Sequence, residues 1–108
     1  MQATDDKDLM ARRLEWADAQ ALAGETVAVF AEEGGAPVAF AVVAVKEQHR
    51  APHMLQFSVS LRGPPKPVQA QRTYRVRHAR LGDYAFFITP VGANESGVDY
   101  EACFSHAP

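Results

Sequence analysis

From Met54 to Arg62 the chain alternates strictly, with Leu55, Phe57, Val59 and Leu61 on one face and Gln56, Ser58, Ser60 and Arg62 on the other. A period of two is the mark of a strand buried on one side only. The same period recurs in Arg72–His78, which sends Tyr74 and Val76 inward and Thr73, Arg75 and Arg77 outward. It returns near the C-terminus, with Val98, Tyr100, Ala102 and Phe104 inward and Asp99, Glu101 and Cys103 outward. Three other runs also read as strands, and two of them, 38–46 and 84–89, are apolar on both faces, as central or doubly covered strands are. The predicted strands are 25–31, 38–46, 54–62, 72–78, 84–89 and 98–105.

Ahead of them, residues 4–22 change period. Met10, Leu14, Ala17 and Ala21 recur at helical spacing, with Leu9 and Leu22 at the flanks. Thr4, Asp5 or Asp6 can cap the start, and Gly24 can end the helix. Trp16 falls one step off the stripe, and either widens the apolar face or covers a sheet edge. Between the strands, Glu32–Ala36 reads as a hairpin loop and the polar stretch up to His53 as a second loop. Gly63-Pro64-Pro65-Lys66-Pro67 cannot extend a strand, because proline lacks the donor and fixes φ. Leu81-Gly82-Asp83 and Pro90–Gly97 complete the predicted turns. Short strands joined by turns, without helical crossovers, make a meander or Greek key. The expectation is a mainly β domain: a small antiparallel six-stranded barrel or sandwich with one N-terminal α-helix. At 108 residues it forms a single domain, 1–108.

Composition adds the compartment. Hydrophobic residues make up 47% and charged residues 22%, so the chain can fold around a core without staples. One cysteine allows no intramolecular disulfide and fits a reducing compartment. The start is acidic, unlike a signal peptide, and Pro37–Val45 is too short an apolar run to span a bilayer. A cytoplasmic chain without membrane contact is expected. Charge is segregated: residues 1–33 carry eight acids against three bases, 44–82 eight bases against Glu47 alone, and 83–108 four acids with no Lys or Arg. Either folding brings these blocks together to neutralise one another, or they mark a partner surface.

No catalytic constellation emerges. His49 and His53 have the spacing of ligands on one helical turn, but Pro52 lies between them and the flanks read as loop, so no metal site is expected. Cys103 lacks a nucleophile motif and sits within a strand, where a buried or half-buried structural thiol is expected. Asp99 and Glu101 on an outward face are first of all solvation, and Gly34-Gly35 is a turn without a phosphate cradle.

In order along the chain stand FSVSLRGP (57–64), QRTYRVRH (71–78), LGDYAFFITPVG (81–92) and YEACF (100–104). Together these motifs resemble a family of uncharacterised bacterial domains, a domain of unknown function, over roughly Trp16 to Phe104. Leu61 stands where that family carries an aromatic, and Ser105-His106 replaces a terminal Asn, leaving any role of that Asn without a counterpart here. The resemblance implies no activity. It implies a setting beside phage-tail-like genes, and so an assembly role. The shared positions themselves read as turn glycines and core aromatics (Tyr74, Phe87, Tyr100, Phe104).

The basic cluster is the strongest lead. Arg62, Lys66, Arg72, Arg75 and Arg77 carry no acid among them, and Arg75 and Arg77 share a strand face. The expected function is a non-enzymatic structural or protein-interaction module, without cofactor, that binds another protein through these five residues. One alternative is a small-ligand-binding barrel, its core opened by Ala28, Ala39, Ala41, Ala44 and Ala85. Another is single-stranded nucleic-acid binding, which the negative net charge and the inward phase of Tyr74 disfavour.

Overall fold

The alternation closes into one sheet. The computed structural model describes residues 14–31 and 35–106. Helix α1 (Trp16–Leu22) precedes β1 (Thr26–Phe30), β2 (Val38–Ala51), β3 (Met54–Gly63), β4 (Arg72–His78), β5 (Gly82–Asn94) and β6 (Gly97–His106). Two antiparallel meanders, β1–β3 and β4–β6, are joined by the crossover 64–71. The strand order β1-β2-β3-β6-β5-β4 returns to β1, with Val29 opposite Val76 at the closing seam. The result is a closed, barrel-like antiparallel sheet, and closure hides the edges that a sandwich would expose.

Inward positions fill the interior with Val29, Phe40, Val42, Phe57, Val59, Leu61, Val76, Phe86, Ile88 and Ala102, all buried. The two ends are covered differently. At one end α1 buries Ala19 and Leu22, and Trp16 packs on Phe57 with ring centroids 5.1 Å apart. Tyr84 Oη donates to Asp18 at 2.9 Å, so a buried ring keeps its hydroxyl satisfied. At the other end the crossover serves two more phenols. Gln69 N donates to Tyr100 Oη at 2.8 Å, and Tyr74 Oη donates to the Ala70 carbonyl at 2.6 Å.

Several sequence expectations shift. The helix predicted over 4–22 is observed only from Trp16, because Glu15 is extended (φ −83°, ψ 156°); residues 4–13 lie outside the described residues, as do Glu32–Gly34 of the first loop. Its buried face is Ala19 and Leu22 beside Trp16, while Ala17 and Ala21 are exposed. The larger side chains Trp16 and Leu22 take the covered face and the small Ala17 and Ala21 are left in water, which costs little apolar burial. The polar stretch Lys46–Ala51 is strand, paired with β3 as far as Ala51↔Met54, and residues 46–50 are exposed. Its exposed side chains stand on a strand that still pairs with β3, with one bulge between Glu47 and His49. Pro90–Asn94 is also strand, since Pro90 sits at a bulge where no ladder donor is required. Phe87, expected in the core, lies on the outer wall and is 50% exposed, and Cys103 is exposed as well. Ala28, Ala39, Ala41, Ala44 and Ala85 fall on outward positions or show partial or full exposure, so they line no interior cavity.

Candidate functional site

The closing seam between β1 and β4 carries the arginine ridge. Arg75 and Arg77 alternate outward from Tyr74 and Val76, and the register sets Phe30 opposite Arg75 and Ala28 opposite Arg77. Both guanidiniums lie over the Phe30 ring, at 4.5 Å for Arg75 and 5.1 Å for Arg77. The negative face of the ring holds the cations in place. Arg77 also grips Asp83 through Nε at 2.6 Å and Nη2 at 2.9 Å, and beside this carboxylate the guanidinium holds its proton more tightly than usual. Arg75 meets no carboxylate among the described residues. Beside the ridge runs an open groove of about 360 Å³, lined by Thr26, Ala28, Pro37, Ala39, Arg77 and Ala79. Two of the alanines expected around an interior cavity, Ala28 and Ala39, thus contribute to a shallow apolar surface on the outside.

The five predicted partner residues do not share one surface. Arg72, at the start of β4, donates to the Ala31 carbonyl and lies over Tyr74, 4.6 Å from its centroid; its phase on the strand is that of Tyr74, not of Arg75 and Arg77. Lys66 is exposed on the crossover. Arg62 belongs elsewhere: on β3 it faces Ala41 and Asp99, and β3 is separated from β4 by two strands in either direction around the sheet. Its guanidinium donates to Asp99 at 2.6 Å and to Asn94 and Ser96 at 2.7 Å each, bracing the β5–β6 hairpin. Tyr74 is buried, and Phe30 is engaged by two guanidiniums. The aromatic of the nucleic-acid reading therefore faces inward.

Sequence reasoning weighed His78 only as a candidate metal ligand, beside His49, His53 and His106; it is buried at the end of β4. Its signal was available, since His78 is in phase with Tyr74 and Val76. Nδ1 accepts the backbone N–H groups of Arg80 and Leu81, each at 3.2 Å, which puts the proton on Nε2, 2.6 Å from Glu25 Oε1. Arg80 Nη2 also donates to Glu25, at 2.9 Å. The hydrogen bonds from His78 and Arg80 hold the Glu25 carboxyl below its ordinary range. With both ring nitrogens engaged, this imidazole ties the β4–β5 turn to the start of β1. His49 lies on β2 and His53 in the following turn, so the pair shares no helix; among the described residues no three His, Cys, Asp or Glu side chains gather as a metal site.

No described helix is long and apolar enough to cross a membrane. No curated protein and no solved structure matches the chain. The match is to a family model of a domain of unknown function, DUF6916, over residues 14–104, from Leu14, just ahead of α1, to the aromatic Phe104. Covering most of the closed sheet as it does, this match places the chain in the DUF6916 family of domains of unknown function.

Proposed function

We propose that this domain is a non-enzymatic structural and protein-interaction module of a phage-tail-like assembly in the cytoplasm, and that it docks an acidic protein surface on the β1–β4 seam. The observation that carries this reading is Arg75, a cation held against Phe30 with no carboxylate partner among the described residues, beside an apolar groove. A cation fixed before binding loses little freedom on docking, and an apolar groove beside it gives water a reason to leave. Arg77 and Arg72 supply further charge along the same strand. The assembly setting is the one that the family resemblance implies.

The test is native mass spectrometry of complexes drawn gently from the host, with the parent and with R75E/R77E. The expected result is a defined protein partner whose affinity falls about tenfold or more on reversal of the two charges. A partner held equally well by the reversed variant refutes this assignment of the docking face.

A further inference from the structure

The wall opposite the ridge has the complementary character. In the ring of strands the β3–β6 seam lies across from the β1–β4 seam, with β2 on one side and β5 on the other. Its outward residues include Ser60 opposite Glu101 and Arg62 opposite Asp99. Between them the pair Leu61↔Tyr100 is flanked by two bulges. Val43 is the extra residue between Val42↔Leu61 and Ala44↔Ser60, and Val91 the extra residue between Pro90↔Tyr100 and Gly92↔Asp99. A bulge turns its residue away from the ladder, and here Val43 and Val91 stand 60% and 59% exposed on either bank of one groove. That groove has a volume of about 470 Å³, and Ser60, Asp99 and Glu101 line it between the valines. Asp99 is paired with Arg62, whereas Glu101 meets no Lys or Arg among the described residues.

We propose that the acidic surface taken by the ridge is this groove on a second copy of the chain, with Arg75 of one copy against Glu101 of the next. The inference rests on the ridge being a docking face for an acidic partner, and it names that partner. Among the described residues each seam carries a charge without an opposite neighbour, Arg75 on one and Glu101 on the other, beside apolar surface: Ala28, Pro37 and Ala39 on one wall, Val43 and Val91 on the other. Because the two surfaces lie back to back, the contact is heterologous. Each copy that docks presents a fresh groove or ridge, so copies add head to tail into a ring or a filament. A pairing of exposed charges is screened by salt, and the association weakens accordingly.

Sedimentation velocity on the purified chain tests this, over a range of concentrations and at low and moderate salt, with R75E, E101R and their equimolar mixture alongside the parent. Both positions are on the outer wall, and thermal melting of each variant checks that it folds. The parent is expected to associate with concentration and to dissociate with salt. Each reversal alone sets like charges together and weakens association about tenfold or more. The mixture restores it, because the reversed ridge of one variant meets the reversed groove of the other and the native pair forms at alternate contacts. A parent that stays monomeric throughout overturns the self-association, and so does a mixture no better than its components. If host-partner capture still falls with R75E/R77E in that case, the docking face stands and the second copy does not. If both fail, the ridge itself is misassigned.

Discussion

Gly63, the glycine of the RGP motif, reads in the sequence as turn chemistry, and the fold gives it a different burden. It ends β3, buried, and a Cβ placed there would lie 2.9 Å from Phe40 Cε1 and Cζ and 3.2 Å from Cδ1. Phe40 has no exposed surface and its ring packs on Tyr100, with centroids 4.9 Å apart. The ring therefore has no free space to withdraw into. Gly63 is not among the positive-φ glycines, so the cost of Gly63→Ala is one of packing and not of backbone conformation. One methyl forced into a filled core costs about 1–3 kcal/mol. For a domain near this size each kcal/mol lowers Tm by about 4 °C or more. Phe40→Leu removes the two closest atoms, and by itself costs about 1–2 kcal/mol as a partial truncation. The double variant should then lose less than the two singles together, by about 1 kcal/mol. Denaturant titrations followed by circular dichroism and by fluorescence of the single tryptophan measure all four corners of the cycle. A Gly63→Ala variant within about 0.5 kcal/mol of the parent, or strict additivity in the cycle, would refute the close-approach account.

The packing of Trp16 on Phe57 predicts that Trp16→Ala unseats α1 and lowers stability, by less than the about 3–5 kcal/mol of a fully buried tryptophan because Trp16 is only partly covered; unchanged amide protection in residues 16–22 would contradict this. Folding lowers the pKa of Glu25, through His78 first and Arg80 next. Its contribution is thus complete above the unfolded carboxylate range and fades as pH falls through the lower folded value. Glu25→Gln should be less stable than the parent near neutrality, and the two should converge in acid; parallel Tm profiles from about pH 3 to 7 would argue against the linkage. Burial, then the neighbouring Glu101, pushes the Cys103 thiol up, although Cys103 is exposed. Alkylation should be slow at neutral pH, and faster in Glu101→Gln; equal rates in the two would exclude an influence of that carboxylate.

The strands that were legible in sequence are those with water on one side only. β4 matches its predicted span, and β3 and β6 differ by a residue or so, because each alternates within a single environment. β2 and β5 were cut short for one shared reason. Each continues beyond the strand closing its outer side, β1 or β4, as an arm paired on one side, and there polarity no longer reports backbone pairing. In α1 the sequence pattern gave alanine the weight of leucine, although what settles the buried face is area, and Trp16 and Leu22 carry it.

The site divides in the same way. That Arg75 and Arg77 share a face follows from a period of two, but the ring that holds them, Phe30, arrives only when β1 meets β4 and the sheet closes, a pairing that no local pattern encodes. Arg62 has the same outward phase and stands close in sequence, yet strand order carries it to the far wall. Part of the segregated charge is neutralised in folding among the described residues: Arg50 on Glu47, Arg62 on Asp99, Arg77 on Asp83 and Arg80 on Glu25. Such pairs, exposed as they are, contribute little to stability, but they remove charge from the surface that a partner sees. That Arg75 on one wall and Glu101 on the other are among the charges these pairs leave emerges only once the pairs are known, and the pairs need the register of the strands around the ring.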